Sequence, residues 1–384
     1  MHTEKLYYQN CHMRQFRAQV LTCSQEGERW VITLDATAFY PEGGGQACDL
    51  GKLDDVQVLD VQERDEEILH FCDGPLMPGA VVQGTLDWER RFDLMQQHSG
   101  EHIVSGLVHS LLGHHNVGFH VGSDRMEIDF DGPITAEQLR HIEAKANEAV
   151  WDNLPIQCWY PSREELPNVF YRTKKALPWP VRLVQMEGVD SCACCGVHVE
   201  STGEIGLIKV LSCVKFHQGV RVELACGKRA YDHLTRIFEE NRQVSQQLSV
   251  PMEQTGEGVR KLSEAVGAEK LRANQLQTRL FAAIAAGYAG QRDVVHFEEG
   301  LDSAQVRQLA DKLVAVVDGF CAVFSAGANG ISYCLATRDG DLRLLNQDMT
   351  AALDGRGGGK PNFQQGSLKA SPAEITDFFQ KYGQ

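Results

Sequence analysis

"QQHSGEH", residues 96 to 102, sits in a run whose apolar positions, Trp88, Phe92, Met95, Ile103, Leu107 and Leu111, recur at roughly helical spacing. Asp87 can cap the start of that run and Gly113 can end it, which predicts one long helix. On a helix His98 and His102, four apart, share a face and can hold a metal ion between them. With Glu101 the run reads His-x-x-Glu-His, the signature of an inverted zinc protease. Three readings follow: a protease, another zinc hydrolase, or a helix with two ordinary hydrogen-bonded histidines.

Global composition narrows the field. A chain of 384 residues with 43% apolar residues is long enough for two or three domains with proper cores. A formal charge of -15 argues against nonspecific adhesion to DNA or membranes, so an anionic partner would have to be met by a local basic surface. Twelve cysteines in a chain this long are not a small disulfide framework. Three of them crowd into "CACC" (192 to 195), which suits a reducing compartment and metal or thiol chemistry. The start, "MHTEKLYYQNCHMRQF", lacks an apolar core like that of a signal peptide, and no later stretch has the uninterrupted apolar length of a membrane span. A cytoplasmic protein is expected.

Upstream of the helix, residues 1–86 carry short β-rich runs such as "RWVITLD" and "VQVLDVQ" between Gly, Pro and Asp punctuation, which predicts a small β domain. Downstream, "RMEIDFD", an amphipathic helix over about 135–153 and the Pro-rich "LPWPVRLVQ" make 87–230 an α+β segment. From Lys228 a polar helix places Leu234, Ile237, Val244 and Leu248 near a heptad, and Pro251, Gly256 and Gly258 interrupt it. A second run aligns Leu262, Val266, Ala273, Leu276 and Leu280, so 231–285 reads as an antiparallel helical hairpin, packed within the chain or, alternatively, dimerising. Residues 286–384 alternate helix, strands ("CAVFSAG", "GISYCLAT") and a glycine-rich loop, a C-terminal α/β domain. The fold class is α+β, multidomain.

Two histidines four apart are weak evidence for a metal. "DSCACCGVHV" (190 to 199) strengthens it, because Cys194 and His198 again stand four apart with Gly196 between them. Cys192 and Cys195 form a Cys-x-x-Cys pair that could instead close a structural zinc site with His198, or act as a redox couple. A redox pair of the thioredoxin kind should open a helix after a strand, and this segment does not. An inverted zinc protease needs a distant carboxylate as its third ligand, whereas this chain offers a thiolate and a third imidazole, so the His-x-x-Glu-His match is accidental. Glu101 then reads as helix surface or as an outer hydrogen bond to a ligand.

Taken together, these residues resemble the alanyl-tRNA editing proteins of the AlaX type, which look like the editing domain of alanyl-tRNA synthetase living as a separate protein. "TAFYPEGGGQACDLG" (37 to 51) resembles the family's glycine-rich signature, "HSGEH" its paired histidines and "CCGVH" its Cys-x-x-x-His half-site. "GVRVELACGKRA" (219 to 230) and "DGRGGGKPNFQQG" (354 to 366) resemble later signatures, the last that of the DHH-associated C-terminal domain. The resemblance runs through nearly the whole chain in family order. It implies a small β-barrel-like N-terminal domain, an editing domain with one zinc held by His98, His102, Cys194 and His198, and a pocket lined by Thr37, Gly43, Gly44, Gly45 and Gln46. It also implies hydrolysis of Ser-tRNA(Ala), and of Gly-tRNA(Ala) as a second substrate. Thr37 and Gln46 would be the catalytic-site residues, the Thr37 hydroxyl bonding that of serine. The partner would be tRNA(Ala), with no DNA and no membrane, and the protein a monomer or a homodimer through the hairpin or the C-terminal domain. Val197 departs from the family's usual threonine, while the ligand spacing is kept.

Each glycine motif also has a plainer reading. "PEGGGQ" can be a turn and nothing more. "GRGGGK" is not a nucleotide loop of the Walker type, since Asp354 stands at its first glycine and Pro361 at its Ser/Thr. Arg356 and Lys360 on that glycine frame suit contact with an RNA backbone, or else belong to a solvated loop. An RNA-binding protein with a purely structural zinc is the alternative to the hydrolase; a metal closed by four ligands that include Cys192 or Cys195, with no adjoining pocket, would favour it.

Overall fold

Along Gln15–Glu26 (β1) the side chains of Phe16, Ala18 and Val20 point inward while Gln15, Arg17 and Gln19 face water, the alternation of a half-buried strand. The following strands are Arg29–Leu34 (β2), Gly51–Leu53 (β3), Val56–Arg64 (β4), Glu67–Cys72 (β5) and Val81–Leu86 (β6). They pair antiparallel in the order β1-β2-β5-β4-β3-β6, and β6 returns to β1, closing a ring around Val20, Ile32, Leu34, Val61 and Ile68. The structure, a computed structural model, describes residues 3–173, 179–327 and 330–382. Leu177 and Pro178, which begin the Pro-rich stretch, lie outside the described residues. The chain forms two compact units, 1–243 and 244–384.

Helix Trp88–Leu112 (α1) begins where expected: the Asp87 carboxylate accepts from the Arg90 N–H, and Gly113 ends it at φ 71°. It is buried around its whole circumference from Leu94 to Gly106, beyond what a one-sided apolar stripe predicts. Gln96, Gln97, His98, Ser99, Glu101, His102 and Ser105 are all taken out of water and need partners. Arg91, fully buried, forks onto Asp49 and donates to the Ala38 carbonyl, which fastens the 38–49 connection to α1. Because a buried guanidinium is costly unless paired, this contact fixes where the glycine-rich segment lies relative to the two histidines.

The rest of the first unit packs around α1. Asn116–Val121 (β7), Met126–Phe130 (β8), Ile208–Phe216 (β12) and Gly219–Cys226 (β13) form an antiparallel sheet in the order β12-β13-β8-β7. Ile156–Trp159 (β9), Leu183–Met186 (β10) and Asp190–Ala193 (β11) form a second, three-stranded one. Helix Ala136–Trp151 (α2) starts at a capping box between Thr135 and Gln138 and buries Leu139, Ile142 and Val150 in a core shared with Met95, Ile103, Ile128 and Val222.

Helices Gly227–Leu248 (α3) and Thr255–Ala286 (α4) follow. Gly256 and Gly258, read as interruptions, lie inside the first turn of α4; the break is Ser249 at φ 53° and Pro251. Leu234, Ile237, Val244, Leu262, Val266, Leu276 and Leu280, whose spacing predicts the hairpin seam, are exposed.

In the second unit Val294–Phe297 (β14), Phe320–Gly327 (β15), Gly330–Thr337 (β16), Gly355–Lys360 (β17) and Phe363–Leu368 (β18) form a sheet in the order β14-β15-β16-β18-β17. Cys321 and Val323 face Leu309 and Leu313 of Ser303–Val314 (α5) on one side. Ala322 and Phe324 face Leu345 of Arg343–Ala352 (α6) and Ile375 of Pro372–Tyr382 (α7) on the other. "GRGGGK", expected as a loop, is instead edge strand β17. Its glycines allow close packing rather than anion wrapping: a Cβ on Gly357 would stand 2.0 Å from the Tyr333 hydroxyl. Arg356 and Lys360 are exposed and, four apart on a strand, share one face. Among the described residues no helix is long and apolar enough to cross a membrane.

Candidate metal centre

The side chains of His98, His102, Cys194 and His198 converge, with their ligand atoms all within 4.8 Å of one another. His98 Nε2 stands 3.4 Å from Cys194 Sγ. Ligands about 2.0 and 2.3 Å from one tetrahedral zinc ion are about 3.5 Å apart, so this spacing already suits a zinc ion between them. All three histidines are buried, each 2% exposed.

What surrounds the four residues explains their orientation. The Nδ1–H of His98 donates to Gln46 Oε1 at 2.8 Å, that of His102 to Asp190 Oδ2 at 3.0 Å, and His198 Nδ1 meets Ser99 Oγ at 3.2 Å. Each ring is thereby held on its outer nitrogen, leaving Nε2 for the centre, the arrangement that fixes tautomer and direction in metal sites. The Nε2 of His198 is buried with no hydrogen-bond partner, a costly vacancy for a polar atom unless a cation takes its lone pair. Burial alone would raise the Cys194 thiol, but the His98, His102 and His198 imidazoles outweigh it and hold the thiol well below its usual range, ready as a thiolate ligand. Burial, seconded by His98, pushes His198 down to about 3, which keeps it neutral and able to ligate.

The half-site "CCGVH" is held from behind. Arg182 Nη1 donates to the carbonyls of Cys194 and Gly196, both at 2.9 Å, and its guanidinium lies 4.5 Å over the Tyr8 ring. The Tyr8 hydroxyl donates to the Cys195 carbonyl at 2.6 Å. Val197 is buried in the core, and its N–H donates to Gln46 at 3.3 Å. Cys192 is outside the four and forms a second possible cluster with His102 and Asp190. That cluster competes for His102, whose Nδ1 is already tied to Asp190. Cys195 is exposed and outside the four.

"GGGQ" folds as a two-residue hairpin turn, Gly43 and Gln46 exchanging backbone hydrogen bonds of 3.0 Å. Gly44 and Gly45 have φ of 61° and 82°, which the turn type demands. A Cβ on Gly45 would meet the Phe119 ring at 2.5 Å. The turn and site readings of this motif are therefore compatible: Gly44 and Gly45 border a cavity of about 840 Å³ whose wall also includes His98, Glu101, His102 and Cys194. Phe119, Tyr160, Lys5, Arg172 and Arg182 complete much of that wall, so the centre opens onto a space with aromatic and cationic sides. Gly43 and Gln46 stand behind the wall, Gln46 1% exposed.

Thr37 is not among the residues that border this cavity. It is fully buried against the barrel: its hydroxyl donates to His70 Nε2 at 2.9 Å and accepts the Phe39 N–H at 3.1 Å. The other His70 nitrogen donates to the Ile32 carbonyl, so the Thr37 hydroxyl gives its proton to His70 and keeps one acceptor lone pair. Glu101 is not helix surface either; buried at 5%, it accepts from Ser105 and Asn116 and borders the cavity. Asp190, Ser99, Arg172 and Arg182 were not assigned from the sequence. Asp190 lies in the quoted half-site segment, and only the pairing of β11 beside α1 shows that it reaches His102.

The family described as the threonyl and alanyl tRNA synthetase second additional domain matches residues 181–237, and the one described as tRNA synthetases class II (A) matches residues 2–90. The chain is similar to alanyl-tRNA editing protein Aarsd1 of Mus musculus, 30% identical over 98% of this chain and 97% of that one. The protein of the same name from Rattus norvegicus is 32% identical over 91% of this chain and 88% of its own. An alanine--tRNA ligase of Ignicoccus hospitalis is 35% identical over 64% of this chain, but the match spans only 28% of the ligase.

Proposed function

The chain belongs to the alanyl-tRNA editing proteins, and on that premise we propose that it is a zinc-dependent hydrolase acting in trans on tRNA(Ala) misacylated with serine or glycine. The observation that carries this reading is the convergence of His98, His102, Cys194 and His198 at the wall of a cavity, each histidine held from outside by a partner of its own. A zinc ion held there by these four residues would supply Lewis acidity toward an ester carbonyl. The residues of the chain do the rest. Gln46, Asp190 and Ser99 keep the imidazoles aimed, and Arg182 and Tyr8 hold the Cys194 loop in place. Phe119 and Tyr160 offer faces for the terminal adenine, and Lys5, Arg172 and Arg182 offset the charge of its phosphate.

An editing activity answers a specific weakness, since a pocket for a small amino acid cannot strongly reject near-isosteres and a second site must discriminate differently. In this reading recognition of the serine hydroxyl falls to groups that border the cavity, Thr37 not being among them. Arg356 and Lys360, on one exposed face of β17, are proposed to contact the tRNA backbone. The test is hydrolysis of Ser-tRNA(Ala), Gly-tRNA(Ala) and Ala-tRNA(Ala) by the full-length protein, with release of serine or glycine faster than of alanine expected. If tRNA binds and no ester is cleaved, the metal is structural and the protein an RNA-binding one.

A further inference from the structure

A second group of metal-type ligands lies in the first unit, outside the cavity just described. Cys11 and His12 occupy the loop before β1, and Glu200 and Glu204 follow the His198 half-site. Ligand atoms of Cys11, His12 and Glu200 lie within 4.8 Å of one another. His12 Nδ1 is 3.3 Å from Glu200 Oε1, and Cys11 Sγ is 3.9 Å from the same carboxylate. On its other side His12 Nε2 is 2.7 Å from Glu204 Oε2.

That last contact sets the chemistry. With Nε2–H donating to Glu204, a neutral His12 turns the lone pair of Nδ1 toward Glu200, and two acceptors then face each other with nothing between them. Either a proton or a cation must stand there. Among the described residues His12 is the one side chain in ion-pair contact with either carboxylate.

The ligand positions are also built. The Cys11 carbonyl accepts from buried Arg91 at 3.2 Å, and the His12 N–H donates to Asn10 Oδ1 at 2.9 Å. The His12 ring stands 5.7 Å from Trp88 and 6.5 Å from Phe92, and Gln96 donates to the Glu204 carbonyl at 2.8 Å. Glu200 is 63% exposed in its side chain, which leaves an entry path. We propose that Cys11, His12 and Glu200 bind a second divalent cation of the zinc class, with Glu204 orienting His12 from behind and water completing the coordination. A sulfur, a nitrogen and an oxygen ligand together favour zinc over magnesium or calcium. Such an ion would tie the N-terminal loop to the segment that carries His198.

The experiment is a zinc titration of the metal-free full-length protein, with bound metal counted after gel filtration and Cys11 alkylation by iodoacetamide read by peptide mass. Two equivalents are expected in the wild type, the second protecting Cys11 from alkylation. Cys11→Ser and His12→Gln should each bind one, with circular dichroism unchanged. His12→Gln carries the same count if Cys11→Ser does not fold. Equal zinc in the wild type and both variants, or alkylation of Cys11 indifferent to added zinc, would each overturn the proposal. Because the readout is a difference between wild type and variant, it stands apart from whether the first centre hydrolyses anything.

Discussion

Replacing Gln46 by leucine removes the acceptor that aims His98 while nearly preserving volume. Gln46 is 1% exposed, and its Oε1 takes the His98 Nδ1–H at 2.8 Å and the Val197 N–H at 3.3 Å. Both donors would be left in a buried, leucine-lined space. The shorter bond sets the scale, since a buried donor left unmet costs about 1–3 kcal/mol. Part of that is offset because Gln46 Nε2, itself buried without a partner, disappears too. Zinc affinity should fall about 10- to 100-fold, the usual effect of losing the outer partner of a ligand histidine. That corresponds to about 1.4 to 2.8 kcal/mol. Competition against a chromophoric chelator measures the affinity, and denaturant unfolding of the metal-free protein measures the stability term separately. Gln46→Glu restores an acceptor and should recover most of the affinity. If Gln46→Leu, still folded, held zinc within twofold of wild type, the outer hydrogen bonds would not be what orients the site.

Thr37→Val should cost about 1–3 kcal/mol of stability, because it strands the Phe39 N–H and His70 Nε2, and should leave the ratio of seryl to alanyl hydrolysis unchanged; a changed ratio in a variant of full stability would return Thr37 to the pocket. His70, pushed by burial from an ordinary 6.5 down to about 4, binds a proton more readily unfolded than folded, so its contribution is complete above pH 6.5 and fades as pH falls toward 4. The loss amounts to about 3 kcal/mol at one pKa unit per 1.36 kcal/mol, and unfolding curves of wild type and His70→Gln across that window should converge toward pH 4. Neutralising Arg356 and Lys360 together should weaken tRNA binding and lower the slope of log affinity against log salt by about 1.4 to 1.8; an unchanged slope would remove β17 from the RNA contact.

The sequence made α1 legible from its caps and its two metal half-sites from ligand spacing, because both are local features of the chain. The burial of α1 was not legible, since Gln96, Gln97, Ser99, Glu101 and Ser105 look like a polar face until strands from both sides of the chain cover them. The outer partners Asp190 and Ser99 depend on tertiary pairing, which no spacing rule reports. The Thr37 contact has the same origin: position beside a glycine signature does not report that its hydroxyl meets His70, thirty-three residues away. "GRGGGK" read as a loop because glycine permits loops, yet here the glycines make room for Tyr333 and the neighbouring backbone of an edge strand.

On the proposed function, a metal at His98, His102, Cys194 and His198 is required to cleave the ester. Single-turnover hydrolysis of Ser-tRNA(Ala) by wild-type protein and by Cys194→Ala, each stripped by a chelator and then resupplied with zinc, tests it most directly. The wild type should lose hydrolysis on stripping and regain it with the first equivalent of zinc, while Cys194→Ala should stay inactive at any zinc level and still bind tRNA. Undiminished hydrolysis by stripped wild-type protein, or by Cys194→Ala, would mean that the ester is cleaved without this metal.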